Sequence, residues 1–239
     1  DLAYYNQGEK FPSVIASNIN TSIDSVLLPT MSSAQDNRAR IKAMTSRSIK
    51  TSTYIMAPLM MGLAFCSEPI VHLILTDKWL PCLPFLRVFC VTYMFYPIHT
   101  ANLNAIKAMG RSDLFLKLEI LKKIVGMGLL IATMWFGVMA MTYSLLISCV
   151  LSQIINSWPN KKLLNYSYKE QLRDILPSIT LSIFMGLIVS LVSIFHLPSL
   201  ITLIMQIAVG IIIYIGASKV LRLDAYEYLI SMIGSLLKV

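Results

Sequence analysis

Hydrophobic residues in this chain fall into long blocks that contain almost no charged residues. No Asp, Glu, Lys or Arg occurs in residues 124–160 or in residues 175–218. A helix that crosses a bilayer needs about 20 mainly apolar residues, so each block has room for two such helices. Shorter apolar blocks earlier in the chain bring the prediction to seven membrane-spanning helices. They are placed at about residues 11–34, 50–75, 82–107, 114–136, 138–159, 172–195 and 198–219.

Composition agrees with this pattern and argues against a soluble globular domain. Hydrophobic residues make up 56% of the 239 residues, charged residues only 13%, and the mean hydropathy is +0.69. In an ordinary soluble domain roughly a quarter of the residues are charged. The predicted fold class is therefore an all-α integral membrane protein. The four cysteines form no CxxC pair, so neither a disulfide framework nor a metal site is predicted, and no cofactor is expected.

Basic residues predict the orientation of the chain in the membrane, because Lys and Arg concentrate on the cytoplasmic side. With seven spans, 17 of the 20 Lys and Arg residues fall on one side, in connections at 35–50, 107–123 and 160–173 and in the tail from Lys219. That side is predicted to be cytoplasmic, which puts the C-terminus in the cytoplasm and residue 1 outside. The net charge of +8 is then a topology signal and requires no nucleic-acid partner.

Two further predictions concern the ends of the chain. An odd number of spans with an external first residue implies at least one more span before residue 1. At the other end, a short amphipathic helix is predicted over residues 224–237, lying on the cytoplasmic surface. Its apolar positions are 225, 229, 230, 233, 236 and 237.

The first predicted span is unusual because polar residues crowd its centre, which reads NINTSIDSVLLP at residues 18–29. On a helix its apolar side chains share one face of about 120°, and polar side chains fill the rest. Lipid cannot solvate this polar face, so the face contacts either neighbouring helices through hydrogen bonds or a water-filled cavity. Seven polar residues together favour the cavity. The candidate cavity residues on this helix are Asn18, Asn20, Thr21, Ser22, Asp24 and Ser25.

Three more candidates lie in the third predicted span, because polar and ionisable residues within a membrane tend to mark pathways. Arg87 is placed about one turn inside the span, where it either binds an anion or extends outward to the interface. His99 and Asn102 belong to YPIHTAN at residues 96–102, beside a proline kink. His99 either forms a hydrogen bond to a neighbouring helix or relays protons. Asp24 likewise has two possible roles. It either binds an ion or proton, or accepts hydrogen bonds from neighbouring Ser and Thr as a structural acceptor.

Signatures of enzymes are absent from the sequence, which contains no GxSxG, HExxH, P-loop or GxGxxG motif. The protein is therefore predicted not to be an enzyme. A membrane glycan polymerase or ligase would need a sizeable external loop with catalytic residues, whereas the predicted external connections are a handful of residues or fewer. A drug or cation antiporter would want a smaller, more aromatic and acidic cavity, and Asp24 is the one acidic residue predicted at mid-span. Both classes are kept as alternatives.

Two blocks of sequence resemble a known family. The first comprises LAYYNQG at 2–8, FPS at 11–13 and SVLLPTMS at 25–32. The second runs through PIHTANLNAIKAMGRSD at 97–113 into LEILKK at 118–123. Together they are similar to the polysaccharide-exporting flippases, which carry O-antigen, capsule or teichuronic-type lipid-linked oligosaccharides. These flippases belong to the multidrug/oligosaccharidyl-lipid/polysaccharide exporter superfamily.

The resemblance implies an architecture and a function. Such proteins have fourteen spans in two lobes around a central cavity, so residues 1–239 are expected to form the C-terminal lobe, with the N-terminal half of the same protein as its partner. The expected mechanism is alternating access coupled to an ion, a proton or sodium. The implied cargo is an oligosaccharide linked to undecaprenyl pyrophosphate, flipped across the bacterial inner membrane for polysaccharide, lipopolysaccharide or other cell-envelope synthesis. Membrane lipids are the remaining expected partners.

Overall fold

Every regular element in the computed structural model is a helix, over the described residues 1–195 and 197–236. Short 3₁₀ turns at Asp77–Cys82, Met134–Phe136 and Val192–Phe195 lead into or extend three of the longer helices. The α-helices are α1 (Leu2–Ser32), α2 (Arg38–Phe65), α3 (Ser67–Ile74), α4 (Leu83–Met94), α5 (Tyr96–Ala108), α6 (Ser112–Thr133), α7 (Val138–Leu164), α8 (Tyr168–Leu191), α9 (Ser199–Val220) and α10 (Asp224–Leu236).

The chain is a multi-pass membrane protein. Within the described residues, four helical stretches are long and apolar enough to cross a bilayer, at 77–108, 138–164, 168–195 and 199–220. The pair α2 and α3, bent by 68°, makes a fifth if it is counted as one span. The prediction of seven spans is not confirmed by this criterion. The polar centre of α1 makes that helix too polar for this criterion, whereas α6 is excluded by the charged residues of its first half.

Two of the predicted spans are broken rather than continuous. The second is interrupted at Cys66, where α2 ends and α3 departs at 68°. The third is divided at Phe95 between α4 and α5. Pro97 stands at the start of α5, where its missing N–H removes no helical hydrogen bond that the chain would otherwise make. The break at Cys66 lets one hydrophobic segment follow two directions, whereas α4 and α5 together still form one candidate span from 77 to 108.

Helix boundaries also differ from those predicted. Helix α1 begins at Leu2 rather than at about residue 11, and it continues through Pro12 and Pro29. Helix α2 begins at Arg38 rather than at about residue 50, and Asn37 caps it by accepting the Arg40 backbone N–H at 2.9 Å. The sequence pattern located the apolar parts of these helices and missed their polar extensions.

Helix α2 lies at the centre of the bundle. It packs along α8 and also contacts α1, α4, α5, α7, α9 and α10. Helix α1 packs against α4 and α5, while α6 lies on α7. The outward faces of α6 and α9 expose large apolar side chains such as Ile124, Met127 and Ile212. Lipid contact explains these surfaces, since soluble proteins rarely expose apolar patches of this extent.

Helix α10 occupies the position of the predicted amphipathic tail. It covers Asp224–Leu236, whereas residue 237 lies outside the described residues. The connection between the predicted spans 172–195 and 198–219 is also incompletely covered, because His196 is outside the described part of the chain. Helix α10 contacts α2 and α9.

Gly8 sets the distance between α1 and α4. A methyl group added there would lie 2.9 Å from the Leu86 backbone nitrogen, 2.9 Å from Phe85 Cβ and 3.1 Å from the Cys82 carbonyl oxygen. Cβ atoms do not approach other heavy atoms this closely, so α1 would have to move away from α4.

We predict that Gly8→Ala destabilises the protein, by about 1–3 kcal/mol, because overpacking at a close helix contact outweighs the higher helix propensity of alanine. The matched control is Gly128→Ala in α6, where an added methyl group meets no atom within 4 Å. That control is expected to be neutral or stabilising by up to about 1 kcal/mol. Thermal unfolding of the detergent-solubilised protein measures both. An equal or higher unfolding temperature for Gly8→Ala would refute the close contact.

Candidate functional site: a polar helix face beside a cavity

Helix α1 turns its apolar stripe inward and its polar face outward from this bundle. Ile15 and Ile19 pack against the main hydrophobic core, and Ala16 is buried between them. Leu27 and Leu28 pack against a second cluster farther along the helix. The opposite face of α1 is exposed. Its exposed polar members include Asn18, Thr21, Ser22, Asp24 and Ser25, five of the predicted site residues, whereas Asn20 is half-buried.

Side chains on this face donate hydrogen bonds to the helix that carries them. Thr21 Oγ1 donates to the Ser17 carbonyl oxygen at 2.8 Å, and Ser22 Oγ donates to the Asn18 carbonyl oxygen at 2.9 Å. Asn18 Nδ2 donates to the Val14 carbonyl oxygen, also at 2.9 Å. The hydroxyl protons of Thr21 and Ser22 and one of the two amide protons of Asn18 are thus used within α1, while the lone pairs of their side-chain oxygens stay free. The face therefore presents acceptors, which suits a ligand that supplies many hydroxyl donors.

Asp24 adds a carboxylate to this row of acceptors. It is exposed and has no hydrogen-bond or ion-pair partner in the part of the chain that the structure describes. Ser25 beside it donates to the Ser22 carbonyl oxygen at 3.0 Å. Asp24 is therefore available to a ligand, to an ion or to a part of the protein outside these residues.

A cavity of about 540 Å³ opens beside α1, between α4, α5, α6 and α7. Thr100 lines this cavity, and its Oγ1 donates to Asn20 Oδ1 at 3.2 Å, which connects the cavity wall to α1. Polar groups and tyrosine rings dominate the wall. The lining residues include Tyr5, Glu9, Tyr93, Tyr96, His99, Thr100, Glu119, Lys122, Lys123, Ser148, Cys149 and Ser152.

Charged groups in the cavity are unevenly paired. Tyr93 donates its hydroxyl hydrogen to Glu9 Oε1 at 2.6 Å. Lys122 Nζ donates to Glu119 Oε1 at 2.5 Å, one turn away on α6. Lys123 is exposed and makes no ion pair among the described residues. The cavity thus contains carboxylates that accept hydrogen bonds and one unpaired ammonium that can bind an anion.

His99 contacts α7 through both ring nitrogens. Asn156 Nδ2 donates to His99 Nδ1 at 3.2 Å, so His99 Nε2 carries the hydrogen and faces Cys149 Sγ at 3.4 Å. Cys149 Sγ in turn donates to the Thr92 carbonyl oxygen at 3.4 Å. This arrangement assigns a neutral imidazole that joins α5 to α7 at the cavity wall.

The other two predicted site residues lie elsewhere. Arg87 is exposed on α4, and its Nε donates to Ser67 Oγ at 3.2 Å, away from the residues that line the cavity. Asn102 is fully buried. Its Nδ2 donates to Gln171 Oε1 at 2.8 Å, and its Oδ1 accepts from Asn160 Nδ2 at 2.6 Å. Asn102 therefore joins α5 to α7 and α8 in the packed interior instead of lining the cavity.

The basic connection between α5 and α6 contributes less free positive charge than its sequence implies. The Arg111 guanidinium donates to both carboxylate oxygens of Asp113, at 2.9 and 3.0 Å. These hydrogen bonds lower the pKa of the Asp113 carboxyl to about 2. Arg111 is therefore already paired, which leaves Lys123 as a better anion ligand.

Glu9 and the tyrosines of the cavity were not among the predicted site residues. Glu9 was placed outside the first span because that span was expected to begin at about residue 11. A signal for the earlier start exists in the sequence, since Gly8, Pro12 and Ala16 recur at intervals of four and are all buried. That pattern brings Glu9 onto the α1 face that meets Tyr93.

Comparisons with known proteins confirm the predicted resemblance. A family model described as "Polysaccharide biosynthesis protein" matches residues 1–84. The chain is 24% identical, over 141 residues, to an "Uncharacterized membrane protein in cps region" of Klebsiella pneumoniae. The aligned region covers 59% of this chain and 29% of that protein. It is 21% identical, over 193 residues, to the "Lipopolysaccharide biosynthesis protein WzxC" of Escherichia coli (strain K12), covering 77% of this chain and 39% of that protein.

A solved structure shares the fold. The "Lipid II flippase MurJ, inward closed conformation" matches with a TM-score of 0.76 and 20% sequence identity, over 95% of this chain and 48% of that one. At this identity the match establishes the fold alone. The chain spans about half of that structure and 29–39% of the two curated relatives.

We predict that the exposed polar face of α1 is hydrated, unlike the exposed apolar face of α9. In membranes that contain the full protein, Ser22→Cys should react with a charged, membrane-impermeant maleimide on the order of tenfold faster than Ile204→Cys, because only a hydrated thiol ionises to the reactive thiolate. The four cysteines of residues 1–239 are buried, although Cys149 borders the cavity, so the unsubstituted protein is labelled in parallel as the background control.

Open membrane fragments make both sides accessible in this labelling experiment. Equal, slow labelling of Ser22→Cys and Ile204→Cys would contradict a water-filled space at α1 and favour burial of this face against other helices.

Proposed function

We propose that the protein containing this chain is a flippase for lipid-linked oligosaccharides in bacterial polysaccharide biosynthesis. The observation that carries the proposal is the exposed row of hydrogen-bond acceptors on α1, next to a polar cavity of about 540 Å³. Hydrocarbon cannot solvate such a surface, and sugar hydroxyls supply the donors that it lacks. The similarity to polysaccharide biosynthesis proteins supports the same cargo class.

The cargo in this proposal is an oligosaccharide on undecaprenyl pyrophosphate. Its sugar ring hydroxyls contact Asn18, Ser22 and Asp24 during passage, while the lipid stays in the bilayer. The pyrophosphate needs cations, and Lys123 at the cavity wall is the unpaired candidate among the described residues. The protein is placed in the inner membrane with its C-terminus in the cytoplasm, as the distribution of basic residues favours.

Alternating access requires a second wall for the space that α1 faces. We propose that this wall is the other lobe of a two-lobe, fourteen-span exporter, contributed by the N-terminal half of the same protein. A proton or sodium ion provides the coupling. Asp24 is the candidate ion site, because it is exposed on the cavity-facing helix without a partner in the described residues. This function involves transport and no covalent chemistry, so the protein is proposed not to be an enzyme.

A drug or cation antiporter of the same superfamily is the second candidate. The observation that favours it is the wall of the cavity, where Glu9 and Glu119 accompany closely spaced tyrosines. The ring centres of Tyr93 and Tyr96 are 4.6 Å apart. Carboxylates and aromatic rings together bind organic cations. The two candidates differ in cargo, and export assays distinguish them.

We predict that the full coding sequence restores surface polysaccharide in a strain that lacks its own glycan flippase, and that Asp24→Asn lowers this export at least several-fold. Removing the carboxylate charge weakens both sugar contacts and ion binding at a site within the membrane. Polysaccharide at the cell surface and accumulated lipid-linked precursor are the measurements.

Asp36→Asn is the matched control, because Asp36 is also exposed and lacks a partner in the described residues but lies in the α1–α2 connection. It should export normally. Failure of the unsubstituted protein across several glycan types, together with raised resistance to cationic drugs, would replace the flippase proposal by the antiporter. Normal export by Asp24→Asn would remove Asp24 from the site.

A further inference from the structure

A second polar cavity, of about 570 Å³, shares no lining residue with the one beside α1. It is enclosed by the first half of α2, the beginning of α8 and the α9–α10 connection. Two candidate membrane spans end at this level, one beginning at Tyr168 and one ending at Val220. The ends of spans lie near lipid headgroups, so this cavity is at headgroup depth. Its cationic lining residues are Lys42, Lys50, Arg173 and Arg222.

The acidic groups of this cavity are already engaged. Asp174 Oδ2 accepts from Ser46 Oγ at 2.6 Å and from the Tyr166 hydroxyl at 2.6 Å. Lys50 Nζ lies 3.5 Å from Asp174 Oδ1 and 2.9 Å from Asp224 Oδ2, so it bridges α8 and α10. Burial, together with the hydrogen bond to Asp174, raises the pKa of the Tyr166 hydroxyl. These contacts hold two carboxylates in place and use one of the four cations.

Glu170 is also occupied. Its carboxylate forms a capping box with Ser167 at the start of α8, accepting the Ser167 backbone N–H at 2.7 Å. Lys42 Nζ lies 3.4 Å from Glu170 Oε1 and donates to the Asn165 carbonyl oxygen at 2.5 Å. These contacts leave the Glu170 carboxylate already paired.

Arg173 and Arg222 are the cations left over. Both line the cavity, both are exposed, and neither makes an ion pair or hydrogen bond through its side chain within residues 1–195 and 197–236. Guanidinium groups bind phosphate oxygens through two parallel hydrogen bonds, so Arg173 and Arg222 offer this cavity two unpaired phosphate ligands.

An apolar groove of about 660 Å³ follows the cavity along the same helices. Lys50 lines the polar cavity, and Tyr54, one turn later on α2, lines the groove. On α10, Ala225 lines the cavity and Tyr226 lines the groove. Aliphatic side chains of α8 and α9, such as Val189 and Ile207, complete the groove. The charged cavity suits the headgroup of an amphiphile, and the apolar groove next to it suits the hydrocarbon chain.

We propose that the cavity and groove together bind one anionic glycerophospholipid, with its phosphate between Arg173 and Arg222 and an acyl chain in the groove. This lipid is distinct from the transported cargo. Among the described residues, α1 makes no contact with α8, α9 or α10, so the site lies apart from the polar face of α1. The inference does not depend on the proposed function, and its test measures binding without transport.

The test is a titration of the purified full protein, delipidated in neutral detergent, with phosphatidylglycerol, read by native mass spectrometry. Arg173→Gln/Arg222→Gln should weaken binding about tenfold or more, as expected for the loss of charge-assisted hydrogen bonds. The matched control is Lys161→Gln/Lys162→Gln, which removes two exposed charges from the end of α7 outside the cavity. It should change binding less than about twofold, because it removes only screened surface attraction.

Additional titrations distinguish a phospholipid from a soluble phosphate as the ligand, and additional variants test whether the protein still folds. Phosphatidylcholine with the same acyl chains should bind more weakly, and neither inorganic phosphate nor glycerol 3-phosphate should displace phosphatidylglycerol. Arg173→Lys/Arg222→Lys should retain more binding than the Gln pair, and all variants should share the lipid-free unfolding temperature. Equal losses in the control pair, equal binding of phosphatidylcholine, or displacement by inorganic phosphate would each overturn the lipid site. The last of these would identify a soluble-anion site instead.

Discussion

Hydrocarbon forms no hydrogen bonds, and this constraint determines where the polar side chains of the chain lie. Helix α1 is too polar to face lipid on all sides, so its isoleucines pack on α4 and α5 and its hydroxyls point away from the bundle. Each hydroxyl that has no other partner returns its proton to the preceding turn. Because these hydroxyl protons are satisfied within α1, its outer face leaves oxygen lone pairs free for whatever occupies the adjoining space.

The same constraint explains the interior. Asn102, Asn160, Gln171 and Ser157 bring three helices together through their side chains, with Ser157 Oγ donating to Gln171 Oε1 at 2.9 Å. Interhelical hydrogen bonds of this kind contribute about 0.6–2 kcal/mol each in membranes. Their specificity matters more than their sum, because any rotation of α5 against α7 or α8 would strand a carboxamide away from its partner. The wall of the α1 cavity that carries His99 is therefore firmly positioned.

Much of this architecture could be predicted from residue patterns. Charge-free blocks located α7, α8 and α9, and the polar run at 18–29 identified the exposed face of α1 before its neighbours were known. The helix breaks at Cys66 and Phe95 were not predicted. Hydropathy indicates which residues lie within the membrane, but it does not indicate where a helix is interrupted. The sequence also did not predict whether a polar side chain points into the packed interior or into the cavity. Asn102 and His99 are three residues apart on α5, yet one is sealed in the interior and the other lines the cavity.

Glu9 illustrates a different limit, since its role depends on a partner far away in sequence. The distance of 2.6 Å between Glu9 and the Tyr93 hydroxyl arises from the parallel packing of α1 and α4, which Gly8 permits. A hydrogen bond between residues so far apart in the sequence can be identified only from the packed structure. The sequence around Glu9 gives no indication that its partner is Tyr93.

Helix α6 packs on fewer helices than the other walls of the cavity beside α1 do. In the described residues α6 touches α5, α7 and the turn at Met134–Phe136, and it makes no contact with α1, α2 or α8. Among the described residues, the wall that bears Glu119, Lys122 and Lys123 is thus held by α5 and α7, whereas the α4 side of the cavity also packs on α1 and α2. Moving the α6 wall would break fewer interhelical contacts than moving any other wall of this compartment.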